Sequence, residues 1–370
     1  MKLRKITISN FKNIRQAEIE FSPKVNCLLG NNGMGKSNLL DAIHYLSFCK
    51  SFTALPDSRM VTRGEQFMML RGDYLRDGAD EQLIAGFTVG RKKSFKRTGK
   101  EYRRLSDHIG LFPLVMVAPM DIDLINGPGE DRRRFLDQII AQSDRTYLSA
   151  LIRYASALEQ RNRMLRDHIV DHTLYEALEF GMEQAAVRIA ESRRAWAEEF
   201  SPIFNRYYRA IAGEGAETVE LRYLTTLTPE APSLTAQLDS ARRHDEMAGH
   251  TSVGTHRDDI EMTIDGMPLR RTASQGQCKT FVIAMRLAQY DFLCRVTPVK
   301  PILLLDDIFD KLDASRVERI VDIVAGERFG QIFITDTNRD HLDSIMDRTG
   351  GEYGLWHVEN GEFSLITLHR

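Results

Sequence analysis

Long apolar runs are missing. No stretch of the 370-residue chain approaches the roughly 20 apolar residues that a bilayer-spanning helix needs, so the membrane is not the expected home. Met1-Lys2-Leu3-Arg4-Lys5 is basic, as a signal peptide begins, but polar residues follow in place of an apolar segment and a cleaved leader is not expected. Cysteine is scarce: Cys27, Cys49, Cys278 and Cys294 are scattered, without the paired spacing of a zinc site or redox dithiol, and a reducing cytoplasm is the simplest compartment. An excess of one charge is also absent. With 50 Lys and Arg against 52 Asp and Glu, a general polycationic coat is excluded, and any basic surface for nucleic acid must be local. There is no internal repeat and no low-complexity segment. The length exceeds what one core usually serves, so two structural units are expected.

What is present alternates in character along the chain. Leu3 to Ile8, Ala17 to Phe21 and Val25 to Leu29 read as strands, the last ending in a glycine cluster. From Ser37 the residues Leu39, Leu40, Ile43 and Leu46 have helical spacing. Gln82 to Val89 reads as a strand, followed by a Lys/Arg-rich stretch turning at Thr98-Gly99 and the apolar run Leu111 to Val117. After Asn126-Gly127-Pro128-Gly129 the chain is dense in Arg, Glu, Ala and Leu, and the recurrence of Tyr147, Leu151, Tyr154 and Leu158 predicts two or three long helices packed on each other. Strands resume at Val219 to Leu224 and Ile260 to Ile264, then a helix from Lys279 to Cys294, a buried strand Pro301 to Leu305, another helix and a strand Gln331 to Thr335.

Two segments carry chemistry. Gly30-Asn31-Asn32-Gly33-Met34-Gly35-Lys36-Ser37 meets the G-x-x-x-x-G-K-[ST] spacing, in which glycines let backbone N–H groups converge on phosphate oxygens. Lys36 would reach the β- and γ-phosphates of ATP, Ser37 would ligate Mg²⁺, and the following helix, with Asn38 in its first turn, would turn its positive end to the anion. Ile302-Leu303-Leu304-Leu305-Asp306-Asp307 is an apolar strand ending in two carboxylates. An aspartate pair can simply cap the next helix, but beside a P-loop Asp306 would hold Mg²⁺ and Asp307 would orient or activate the attacking water, which makes Asp307 and Lys36 the expected catalytic residues. Thr272 to Lys279, read alone, is a capping sequence before a helix.

Several segments together resemble the RecF family, bacterial DNA-repair ATPases whose head is similar to that of SMC and ABC ATPases. They are Ile8-Ser9-Asn10-Phe11-Lys12-Asn13, the stretch Pro119 to Asp137 with Arg132, Arg133, Phe135 and Leu136, Gly254-Thr255-His256-Arg257-Asp258-Asp259, and Ser274-Gln275-Gly276-Gln277. The resemblance implies an α/β fold, an ABC-type P-loop ATPase head of mixed sheet and flanking helices plus a short all-helical arm. The head would take residues 1–125 and 216–370, and the arm 126–215. It implies that Ser274, Gln275, Gly276 and Gln277 form a signature touching the γ-phosphate of the opposite subunit, and that Asp310-Lys311-Leu312-Asp313 is the D-loop, with Asp313 facing a partner copy. It further implies an ATP-dependent homodimer on duplex or gapped DNA, RecR and RecO as partners, and loading of RecA. Two departures stand out: aspartate at 307 where most ABC ATPases have glutamate, which points to slow hydrolysis, and the lack of a histidine in Ile334-Thr335-Asp336-Thr337.

For DNA the densest cationic stretch is Arg91 to Lys100, with Lys92, Lys93, Lys96, Arg97 and Lys100, continuing to Arg103 and Arg104 and interleaved by Phe95. A solvated hairpin is the plainer reading of such a run. The triplet Arg132-Arg133-Arg134 suits packing and ion pairs better, and His256-Arg257 stays open between structure and nucleotide contact. Two rival functions share the phosphate loop: the ATPase subunit of a transporter, which the helical arm and Gln275 oppose, and a small-molecule kinase, which leaves the Ser274 segment unused.

Overall fold

In the computed structural model, which describes residues 1–370 apart from 54, 311, 349, 350 and 370, the three N-terminal strands form where the apolar alternation places them. The chain runs β1 (Lys2–Phe11), β2 (Ile14–Glu20), β3 (Val25–Leu29), α1 (Lys36–Phe48), β4 (Phe67–Arg76), β5 (Ala79–Thr88), β6 (Ser94–Arg97), β7 (Lys100–Glu101) and β8 (Leu114–Val117). There follow α2 (Asp123–Asn126), α3 (Gly129–Ser143), α4 (Arg145–Arg166), α5 (His172–Ala212), β9 (Val219–Leu224), α6 (Leu234–Ala248), β10 (Asp259–Ile264), β11 (Met267–Pro268), α7 (Leu269–Thr272) and α8 (Gln275–Val296). The remainder is β12 (Ile302–Asp306), α9 (Ala314–Ala325), β13 (Ile332–Asp336), α10 (Arg339–Arg348), β14 (Tyr353–Glu359) and β15 (Glu362–Leu368).

One compact unit comprises Met1–Asp121, Arg209–Glu214 and Lys279–Arg370. It holds an antiparallel sheet in the order β2-β1-β4-β5-β6-β7 and a second sheet, β15-β14-β3-β13-β12-β8, parallel except for its edge strand β15. Helix α1 touches strands of both sheets, and all its residues but Ser37 and Asn38 are buried. Burial on every side explains why its apolar residues fill more than one face. Leu3, Ile6 and Ile8 of β1, Leu39, Ile43 and Leu46 of α1, and Phe333 of β13 share the resulting core. The buried amide of Gln331 joins the sheets: its Oε1 accepts from Leu3 N at 2.6 Å, and its Nε2 donates to Leu3 O and Ser22 O, each at 2.8 Å. A satisfied buried amide of this kind specifies which segments meet. The strand β4 and the hairpin β14–β15 are additions to the sequence reading; the turn dipeptide Asn360-Gly361 was the available signal for the second.

The other unit comprises Ile122–Tyr208 and Gly215–Cys278. Of the two or three long helices expected after residue 126, the structure has three, α3, α4 and α5, the last 41 residues long with Pro202 inside it. The return to the head expected at 216 is a correction: the segment to Cys278, with its own sheet β11-β10-β9, packs with the helices. The reason is electrostatic. Arg161 of α4, fully buried, is neutralised by Glu179 of α5 at 2.8 Å and by Asp245 of α6 at 2.7 Å. Arg193 of α5 pairs with Asp137 at 2.9 Å and with Asp258 at 2.7 Å. Two buried arginines thus draw carboxylates from beyond residue 216, because an unpaired buried charge is far costlier than a paired one. The Arg triplet is structural too: Arg132 binds Asp259 through Nε (2.6 Å) and Nη2 (2.9 Å), Arg133 donates to Asp258 O, and Arg134 pairs with Glu130. His256 is held between Tyr154 (2.8 Å) and Thr251 O (3.0 Å), contacts that serve the packing of this unit.

Arg161→Ala should destabilise the helical unit by about 3–5 kcal/mol, since it takes from the fully buried Asp245 its only paired cation among the described residues and leaves Glu179 with Arg242 alone. Denaturation followed by Trp196 fluorescence in a Trp356→Phe background reads this unit alone. In the other unit, burial lowers His44 and His108 from 6.5 to about 4. Between those values the unfolded chain binds more protons than the folded one. Stability should therefore fall as pH drops from 6.5 towards 4, by roughly 1.4 kcal/mol per pH unit per histidine well inside the window, and level off below it.

Candidate nucleotide site

β3 delivers the chain into the glycine loop, and α1 leads away from it. Gly35 caps α1 with φ 115°, a backbone that residues with a Cβ rarely adopt. Gly30 meets a different constraint: a Cβ there would lie 2.3 Å from Val358 O of β14. The β14–β15 turn braces the loop, with Gly361 N donating to Met34 O at 2.7 Å. Asn38 donates to Asn13 Oδ1 at 2.7 Å, which gives the N-terminal segment a place beside the loop. Asn31, Asn32 and Gly33 are exposed and Met34 packs against the core. Lys36 is almost buried, its ammonium held by Gly30 O (2.5 Å) and Asn31 O (2.9 Å). Burial lowers its pKa, against the pull of Asp307, Asp306 and Asp336.

β13 lies between β3 and β12, so the acidic pair ends one strand away from the loop. Asp306 Oδ1 accepts from Ser37 Oγ and from Thr335 Oγ1, both at 2.8 Å. Burial pushes this carboxyl above the usual carboxylate range despite those two donors. Thr335 also takes Asp307 N on its hydroxyl (3.0 Å) and on its carbonyl (3.3 Å), and Asp307 has φ 47°. The single threonine therefore orders both acids, a role the sequence alone did not reveal. Asp307 is raised by burial first and by the Asp336 charge second, which makes it a better proton acceptor at neutral pH than an exposed aspartate. A hydroxyl and a carboxylate in contact are the donors Mg²⁺ takes when phosphate oxygens and water supply the rest, so Ser37 and Asp306 fit that ion. Among the described residues there is no cluster of three or more His, Cys, Asp or Glu able to hold a metal unaided.

The other expected residues lie elsewhere. Ser274 and Gln277 form a capping box at the start of α8: Ser274 N donates to Gln277 Oε1 (2.7 Å), and Gln277 N to Ser274 Oγ (3.3 Å). Ser274 and Gln275 stay exposed, Gly276 is half-buried, and Gln277 donates to Glu217 Oε1 at 2.5 Å. Asp313 caps α9, accepting from Arg316 N (2.9 Å) and Ser315 Oγ (2.7 Å); Lys311 of the same segment lies outside the described residues. Two members of the basic stretch are internal supports. Lys93 donates to Cys49 O and pairs with Asp57 at 2.9 Å, and Arg97 pairs with Glu81. Phe95 is buried and offers no face for base stacking. Lys92, Lys96, Lys100, Arg103 and Arg104 are exposed.

A glycine loop between strand and helix, an acidic pair one strand away and a helical unit inserted in the chain between them define a P-loop head of the SMC class. The family model described as RecF/RecN/SMC N terminal domain matches residues 2–361. The chain belongs to that family, and within it to the RecF proteins. It is 51% identical over 362 residues to the DNA replication and repair protein RecF of Parabacteroides distasonis, covering 98% of each chain. It resembles the solved structure of the recombination mediator protein RecF-ATP in the RecFOR pathway, with TM-score 0.87, 28% identity, and 99% and 98% of the two chains covered. The Smc head domain of Pyrococcus furiosus, at TM-score 0.59, 18% identity and 100% and 96% coverage, shares the fold.

Gly30→Ala should abolish nucleotide binding, because the new Cβ must push β14 off the loop. Lys36→Ala should do so by removing the phosphate-facing cation while leaving the fold intact. Equilibrium titration with a fluorescent ATP analogue, with circular dichroism alongside, separates the two causes.

Proposed function

We propose that this chain is an ATP-dependent DNA-binding clamp of recombinational repair. ATP binds at residues 30–38 and joins two copies head to head, the Ser274–Gln277 signature of one copy completing the site of the other and Asp313 meeting its partner. The dimer grips duplex DNA beside single-strand gaps, and hydrolysis releases it. The observation that carries this reading is the Asp306 carboxylate, which gathers Ser37 of the phosphate loop and Thr335 of the neighbouring strand at 2.8 Å each.

Within that site the roles divide by chemistry. Lys36 supplies the cation for the β- and γ-phosphates, and the α1 N-terminus adds its dipole. Bound Mg²⁺ supplies charge neutralisation on the phosphate oxygens. Asp307, with its raised pKa, orients and deprotonates the attacking water. Its side chain is one methylene shorter than the glutamate common in ABC ATPases, which supports slow hydrolysis that acts as a timer.

The ATP-bound relative supports the ligand, and the RecFOR pathway in which it was described supports RecR and RecO as partners. Loading of RecA on gapped DNA is the outcome proposed for the clamp. The exposed Lys92, Lys96, Lys100, Arg103 and Arg104 are the proposed phosphate contacts; Lys93 and Arg97 support the hairpin that presents them. No helix among the described residues is long and apolar enough to cross a membrane. The cytoplasm, where DNA lies, is the proposed compartment.

Sedimentation of Asp307→Asn with a gapped duplex tests the clamp. ATP should drive dimerisation and DNA binding together; ATP binding without a change in either mass or DNA affinity would end the clamp reading. Ser274→Arg should bind ATP normally and stay monomeric, and dimerisation of this variant would overturn the signature's role across the interface.

A further inference from the structure

The segment Ile334-Thr335-Asp336-Thr337 lacks the histidine of the wider ABC pattern, yet a histidine of the next helix, His341, bonds its aspartate. Asp336 ends β13, between the strand that feeds the phosphate loop and the strand that ends in the acidic pair, and its carbonyl accepts from Gly30 N at 3.4 Å. Asp336 as a whole is only 4% exposed. One carboxylate oxygen accepts from Asn338 N and the other meets His341 Nδ1, both at 2.8 Å. His341 is itself seated, edge to face, on the buried ring of Phe309 at 5.2 Å, so its ring orientation is set by packing as well as by the carboxylate.

The charge on Asp336 acts on two groups of the nucleotide site, favouring the protonated forms of Lys36 and of Asp307. The charges of three carboxylates thus act on one lysine. A triphosphate entering this site needs the Lys36 ammonium and is repelled by any carboxylate left free to turn towards it. The Asp336 oxygens are turned instead to the start of α10, where a backbone amide and an imidazole hold them.

We propose that His341 is a positioning residue for nucleotide binding, one that keeps the Asp336 carboxylate off Lys36 so that the ammonium is free to take phosphate. This role rests on the nucleotide-binding reading of the site. Without the imidazole, the carboxylate keeps a single backbone donor and turns to the cation on which it already acts. It then competes with the γ-phosphate for Lys36. The effect falls on ATP affinity and KM, with the turnover of bound ATP changed less, because Asp307 stays anchored through Thr335.

The test is a titration of the full chain with a fluorescent ATP analogue, with steady-state hydrolysis in parallel. His341→Ala should weaken binding about tenfold, the size of one partly screened charge interaction. His341→Asn should recover most of the loss, because its amide can donate where Nδ1 does. Asp336→Asn placed in the His341→Ala background should also recover it, since a neutral amide neither pairs with Lys36 nor repels phosphate. A loss that persists in the double variant would reduce His341 to a brace for α10 and overturn the proposal, as would wild-type affinity in His341→Ala. Should His341→Ala fold poorly, His341→Asn against His341→Leu carries the same comparison. Failure of the wild-type protein to bind the analogue would instead overturn the nucleotide reading of the whole site.

Discussion

The Asp306 carboxylate is the point on which the head's arrangement turns. One oxygen accepts two hydroxyl protons, from Ser37 and from Thr335, and those donors lie 269 and 29 residues away along the chain. The contact exists only because β3, β13 and β12 are adjacent and parallel with their carboxyl ends in register, Asp306 opposite Thr335 and Asp336 opposite Leu29. Parallel strands place their loops at one sheet edge, which is where open α/β sheets bind ligands. A shift of one residue in either pairing would turn these side chains to the opposite face of the sheet and break the constellation.

The rigidity of that edge comes from beneath it. α1 is packed between two sheets, and Gln331 joins those sheets with three buried hydrogen bonds. The loop between β3 and α1 is thereby held at both ends, and the Asn360-Gly361 turn closes over its middle through Met34. Little conformational freedom remains to be lost when phosphate binds, which favours affinity. The same confinement accounts for the residue at 30: there is no room for a side chain between the loop and Val358 O.

Charge is handled differently in the two units. The nucleotide site sets the charges of Asp306, Asp307 and Asp336 against one lysine, and burial leaves Asp306 and Asp307 raised. The helical unit pairs its buried arginines, Arg161 and Arg193, with two carboxylates each and uses them as fasteners. Perturbed acids beside a cleft point to function, whereas matched buried pairs point to a fixed packing arrangement. The basic stretch after Arg91 divides along the same line. Lys93 and Arg97 have internal partners and the other cations face solvent.

The sequence by itself determined what depends on short spacing. The glycine loop, the apolar strand ending in Asp306-Asp307, the helical character after residue 126 and the mixed α/β class were all legible, because period and turn chemistry are local properties. The Ser274–Gln277 cap was legible for the same reason. Tertiary structure alone decided the rest. That residues 216–278 join the helices follows from counter-charges supplied to Arg161 and Arg193 across 84 and 65 residues, a demand no local pattern records. That Thr335 orders both acids, that Phe95 is core and not a stacking platform, and that His341 reaches Asp336 all depend on which strands and helices become neighbours. Sequence states which groups are available; only packing brings groups hundreds of residues apart within hydrogen-bonding distance.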